Sequence, residues 1–323
     1  MIVIKKIKFF SFLILLSFFP NDVFAWGSAT HAYIVKNICQ VEPDALLIYG
    51  SIVPDFFNIE IDSTYYSYIT KITHYNLEKV KNESRKKRMY SFALGYISHN
   101  ERWGADLTAH KKARTIHKRK GYILEKEDVL KPLITLELGE YFRSKGFSNP
   151  FILANIISSS ITHLLLEFAV DLKIKTSEDS SLGNDLVYSA INRDDSVSDI
   201  LVLAYGNSLS KRFKISKEEA ISIIRGAEED FRDFIVQYGV ILGQDMDIAI
   251  TQLSEEIAQF MNDYLDSDSS GRYFIEPQII RRFIMYAINQ VNDDYLKEIS
   301  ETIKYLKKFK EIKNLCKKCQ INP

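Results

Sequence analysis

Apolar residues recur at spacings of three and four along most of the chain, and few stretches alternate with period two. That pattern predicts helices rather than strands. Ala32 to Val41 reads as one helix. Ser84 to about His110 reads as another, with Met89, Phe92, Ala93, Tyr96 and Ile97 on its apolar face. Asn149 before Pro150 is an N-cap followed by proline in the first turn, opening a helix from Phe151 to about Lys173. Ser216 with Glu219 forms a capping box and opens a helix to about Leu242. Ile248 to Leu265, Pro277 to Gln290 and Asp293 to Lys313 read as three more. The fold class is therefore all-α, a multi-helix bundle. The polar, acidic stretch Ser177 to Asp185 is the best candidate boundary. It divides residues 26–176 from a helical C-terminal region, 177–323, that is either separate or completes the same domain. No internal repeat or low-complexity segment interrupts the pattern.

Composition narrows this picture. With 46% apolar and 26% charged residues over 323 positions, the chain is not a disordered one. Only 13 glycines and 7 prolines argue against a turn-dense all-β fold. Lys plus Arg and Asp plus Glu are both 42, so nothing points to a bulk polyanion partner. The first residues read as a targeting segment. Lys5, Lys6 and Lys8 precede the apolar run Phe9 to Phe19, which is too short to span a bilayer. Val23 and Ala25 then occupy the positions of a small-residue cleavage site. Residues 1–25 are read as a signal peptide, the mature chain as starting at Trp26, and the protein as exported, either secreted or periplasmic.

Three cysteines, Cys39, Cys316 and Cys319, cannot all pair within one chain. Cys316 and Cys319 read as a local disulfide or two free thiols, so the core rather than a disulfide framework is expected to hold the fold. Asp266, Asp268, Ser270 and Gly271 resemble half of a calcium loop, but Pro277 stands where the bidentate acid belongs. A polar interhelical turn is the better reading.

Five of the six histidines fall in spacings that carry chemistry. On one continuous helix, His99 and Asp106 would return to nearly the same face after two turns, with His110 one turn beyond. Glu101, two steps from His99, would point the opposite way at about 200°. His163 and Glu167 are again one turn apart, with Ile161, Leu164, Leu165, Leu166 and Phe168 around them. A histidine and a carboxylate one turn apart present N and O donors to one cation. An unpaired glutamate in so apolar a setting would be costly to bury, and a metal would neutralise it. His31, His74 and Asp55 in the run Gly50 to Asp55 add further donors. An α-amino group at Trp26 is a candidate too, because its pKa of about 7.7–8.0 leaves the neutral amine within reach near pH 7. His117 is left over, in the basic run Lys111 to Lys120, which reads first as a solvated face.

Trp26, Thr30-His31 before an apolar helix, Gly50 to Asp55, His74, the segment from His99 to His110 and the pair His163/Glu167 together resemble the bacterial zinc-dependent phospholipase C family. The fungal single-strand-specific nucleases share that architecture. The resemblance runs from Trp26 to Glu167. It implies an all-α fold with three zinc ions at the bottom of a cleft. Asp55, His74, His99 and Asp106 would hold the first ion. His110, His163 and Glu167 would hold the second. The amine and carbonyl of Trp26 with His31 would hold the third, and Asp106 would bridge two of the ions. Asp106 departs from the family pattern, lying late and one turn before His110.

The implied activity is phosphodiester hydrolysis by metal-activated water, with Asp55 as ligand and candidate general base. A phospholipid substrate with peripheral membrane contact is the first expectation. A single-stranded nucleic acid or another phosphoester on the same site is the alternative, and a non-catalytic zinc-binding protein a third. No obligate protein partner is inferred.

Overall fold

A computed structural model describes residues 26–39, 43–60, 63–116, 120–266 and 275–321. The expected signal segment, His117 and the core of the calcium-like loop lie outside the described residues. Within them the chain is all-helical, with no strand. The order is α1 (Ser28–Ile38), α2 (Ala45–Ile52), a single 3-10 turn (Val53–Asp55), α3 (Tyr66–Tyr75), α4 (Leu77–Lys86), α5 (Tyr90–His99) and a π-helical turn (Leu107–Lys111). Then follow α6 (Tyr122–Ser144), α7 (Pro150–Ser177), α8 (Leu182–Asn192), α9 (Ser196–Phe213) and α10 (Lys217–Gly243). The chain closes with α11 (Met246–Asp266), α12 (Pro277–Val291), α13 (Tyr295–Leu306) and α14 (Lys310–Ile321).

Strong local signals behave as their chemistry predicts. Ser216 caps α10, its hydroxyl accepting from Glu219 N at 3.0 Å. Pro150 opens α7, although Asn149 at the cap position makes no side-chain bond. Two expected long helices are broken. The stretch from Ser84 to His110 splits at Lys86 and again at His99, and Asp293 to Lys313 splits between Leu306 and Lys310. The break after His99 has a local cause. Asn100 Oδ1 accepts from Arg102 N and Trp103 N, both at 2.9 Å, closing an Asx turn in place of the next helical turn. Gly104 follows because a Cβ there would lie 2.5 Å from His99 O.

The site is positioned by close backbone packing. A Cβ on Gly95 would meet Leu47 O at 2.3 Å, and one on Gly50 would meet Phe92 O at 2.6 Å. Two glycines thus let α2 and α5 approach backbone to backbone. That brings Ser51 O within 2.8 Å of His99 Nδ1. Helix α7 is long and apolar enough to cross a membrane, yet 61% of its most apolar window is buried inside this protein. It is the central core helix, flanked by α6, α12 and α1.

Residues beyond 177 pack directly on the first half. Tyr238 and the start of α1 share one carboxylate: Asp171 accepts from Tyr238 OH, Ala29 N, Thr30 N and Thr30 Oγ1. Asp171 thereby caps the N-terminal end of α1 from across the core. Lys36 bridges Asp179 and Asp185, both at 2.6 Å, across the proposed boundary. Glu298 holds the 114–115 backbone, and Glu228 binds Tyr49 and Arg193.

The cysteine expectation is corrected. Cys39 and Cys316 form a disulfide across 277 positions, and Cys319 is free and buried. Spacing in sequence favoured Cys316 with Cys319, but α14 lies against α5 and carries Cys316 to the end of α1. A bond closing so long a loop chiefly restricts the unfolded chain. Cys316→Ser is expected to lower stability by about 2–4 kcal/mol, read from denaturant unfolding with and without reductant. An unchanged midpoint would show that the bond contributes nothing.

Candidate metal centre

The sequence candidates converge on one buried region from seven separate elements. Helix α1 supplies His31, the turn after α2 supplies Asp55, and the last turns of α3 and α5 supply His74 and His99. The loop after α5 supplies Asp106, the π turn His110, and α7 both His163 and Glu167. Two overlapping groups, His31–Asp55–His99 and His74–His99–Asp106, each place their donor atoms within 4.8 Å of one another and could hold a metal ion.

The first set is tight. His74 Nε2 lies 3.1 Å from Asp55 Oδ1 and 3.3 Å from His99 Nε2. His99 Nε2 lies 3.0 Å from Asp106 Oδ2, while His31 Nε2 lies 3.1 Å from Asp106 Oδ1. Asp106, with no solvent exposure, therefore offers one oxygen to each side. Yet neither of its oxygens, nor His31 Nε2, makes a properly aligned hydrogen bond. The second set is centred on His163, whose Nε2 is 3.3 Å from His110 Nε2 and 3.2 Å from Glu167 Oε1. Glu167 Oε1 is likewise buried without a hydrogen bond.

Tautomers decide what these contacts mean. His74 Nδ1 donates to Thr70 O at 2.8 Å and His99 Nδ1 to Ser51 O at 2.8 Å. His163 Nδ1 donates to Glu127 Oε2 at 3.2 Å and His110 Nδ1 to Glu101 Oε1. Each acceptor is a carbonyl or carboxylate, so each Nδ1 carries the proton and each neutral ring turns a bare Nε2 lone pair inward. Two such lone pairs 3.3 Å apart repel unless a proton or a cation lies between them. Ligands about 2.0–2.1 Å from a tetrahedral ion sit about 3.3 Å apart, which matches both Nε2 pairs. The donor set, its orphaned oxygens and its fixed tautomers fit a metal.

Without a cation, protons must do the same work. Burial opposes charge on His99, but Asp106 and Asp55 push its pKa well above the usual value. Burial likewise opposes charge on His163, and hydrogen bonds to Glu127 and Glu167 push it up to about 9. Burial raises Glu167 to about 7. Asp55 and Asp106 are held well below the carboxylate range, against the effect of burial, chiefly by His99. A group whose folded pKa is raised gives stability present below its unfolded pKa and lost as pH rises through the folded one. For Glu167 that loss runs from 4.5 to about 7, and for His163 from 6.5 to about 9. His31, lowered by burial, works the other way below 6.5, but it is outnumbered by His74, His99 and His163. Metal-free protein is therefore expected to lose stability as pH climbs through this range. Zinc should reverse the trend, because ligands shed protons to bind it. Thermal unfolding with zinc and with chelator across that range is the check. A rising Tm in chelator would contradict this account.

Two corrections concern the first coordination region. His99, Asp106 and His110 do not form one helical stripe. Asp106 joins His31, His74 and His99, while His110 turns to His163. Glu101 does not face solvent: it is 2% exposed, bonded to His110, with Lys111 Nζ 3.0 Å from its other oxygen. The helix-wheel argument fails because the helix ends at His99. Sequence reasoning also missed Glu127, one turn before Leu130 on the inner face of α6. Its only signal was an acid on an apolar helical face.

Trp26 is buried, stacks on Tyr122 at 5.4 Å, and donates from Nε1 to Ala105 O and Thr108 Oγ1, each at 3.1 Å. The indole thus clasps the segment that carries Asp106. A small cleft beside the donors is lined by Trp26, Asp55, Glu167, Leu164, Phe168, Phe231, Phe234 and Tyr238. Asp55 is the member of the first set that reaches this cleft. No protein-family model matches the chain, and neither a curated protein nor a solved structure is found to match it.

Proposed function

We propose that this chain is an exported zinc-dependent phosphodiester hydrolase of the phospholipase C type. The observation that carries the reading is Asp106. It is a fully buried carboxylate with both oxygens unbonded, aimed at His31 on one side and at His74 and His99 on the other. That is the arrangement of a carboxylate shared between two cations. Three zinc ions are assigned: one to Asp55, His74, His99 and Asp106, one to His110, His163 and Glu167, and one to Trp26, His31 and Asp106. Bound zinc would neutralise phosphate oxygens and bring the pKa of a bound water toward about 7.

The chain's own groups divide the remaining work. Asp55, at the cleft wall, takes the proton from the attacking water. Leu164 and Phe168 add apolar surface to the same cleft. Phe231, Phe234 and Tyr238 give the small cleft its aromatic lining. Export is supported by the N-terminal pattern and by the Cys39–Cys316 disulfide, which belongs to an oxidising compartment.

The same aromatic wall favours a second reading, a single-strand nuclease, because aromatic faces also stack bases. The test is a substrate panel: purified protein with zinc or with chelator against phosphatidylcholine, single-stranded DNA and a chromogenic phosphodiester. Zinc-dependent release of the phosphorylated head group supports the first reading. Cleavage of DNA alone selects the second. Zinc bound without turnover of any substrate would leave a zinc-binding protein that is not a hydrolase.

A further inference from the structure

The two donor sets are oriented by different chemistry. In the first, the Nδ1 protons of His74 and His99 go to neutral backbone carbonyls, Thr70 O and Ser51 O. In the second, both go to carboxylates, Glu101 for His110 and Glu127 for His163. Glu127 is 5% exposed and Glu101 2% exposed. Buried carboxylates are costly, and each here has an imidazole N–H as a partner. The direct donors differ in the complementary sense. The first set contains two carboxylates, Asp55 and Asp106, whereas the second contains only Glu167.

We infer that Glu101 and Glu127 are positioning residues that set the metal affinity of the His110–His163–Glu167 site, through the rings rather than by direct ligation. This rests on the zinc reading above. A carboxylate behind an imidazole fixes its tautomer and rotation and draws on the Nδ1 proton, which increases electron density at Nε2. Negative charge that the first site receives from direct ligands is supplied to the second through its two histidines. Lys111 beside Glu101 offsets part of that charge from the solvent side.

The experiment is zinc competition against a graded series of chelators, on the parent protein and on Glu101→Gln, Glu101→Ala, Glu127→Gln and Glu127→Ala. Gln keeps an acceptor oxygen and the volume, so it separates charge from packing. One zinc is expected to weaken about 10-fold in each Gln variant and up to about 100-fold in each Ala variant, with the other two unchanged. Circular dichroism should stay at the parent value. A competition curve equal to the parent's in the Ala variants would overturn the inference. So would loss of helical signal, since the glutamates would then hold the fold and not a ligand. A parent that binds three zinc ions but hydrolyses nothing would sink the hydrolase reading while leaving this inference standing; a parent that binds none would sink both.

Discussion

Asp106→Asn is expected to abolish phosphodiesterase activity and to release more than one zinc. Both carboxylate oxygens are committed, one 3.1 Å from His31 Nε2 and the other 3.0 Å from His99 Nε2. An amide of the same size offers one oxygen and an NH2 group that cannot ligate. The change leaves no cavity, so loss of packing cannot account for the effect. The loss in activity should exceed the roughly 10–100-fold typical of a supporting residue. Elemental analysis for zinc and the panel assay read both effects. Full zinc content in the Asn variant would remove the bridging role. Glu101→Gln, which the linear sequence made look harmless, is expected to weaken one zinc only.

The second large effect concerns the N-terminus. An α-amino group at Trp26 can bind metal only when nothing precedes it. One extra residue turns it into an amide, a very poor donor, and puts backbone where the proposed third ion would sit. The indole anchors the residue regardless, through Ala105 O, Thr108 Oγ1 and Tyr122. A chain starting at Trp26 is therefore expected to be active. The same chain with one added residue should lose one zinc and most activity while keeping its helical content. Occupancy of this site should also fall as pH drops below about 7.7–8.0, where the amine protonates. Equal zinc and equal activity in the extended chain would leave two ions at most.

Sequence by itself determined the fold class and singled out most of the polar residues that the structure brings together. Apolar spacing of three and four specifies helices wherever it persists, and Ser216 and Pro150 fix helix starts by local bonding and local φ. The candidate donors were legible because His31, Asp55, His74, His99, Asp106, His110, His163 and Glu167 are an improbable set of polar residues among apolar neighbours. All eight lie together in the structure. Which of these residues meet was not legible from helical spacing; only the family resemblance grouped Asp106 with His31, His74 and His99, and His110 with His163 and Glu167. The helix-wheel angle is meaningful only while the helix continues, and the Asn100 turn ends it at His99. That one break sends Asp106 to His31 and His99, and turns Glu101 inward to His110. The Cys39–Cys316 pairing, the Glu127–His163 bond and the capping of α1 by Asp171 were equally hidden. Each joins residues separated by 36 positions or more. Local rules act within a turn or two, whereas contacts of that range are fixed only when helices dock and buried polar groups must find partners.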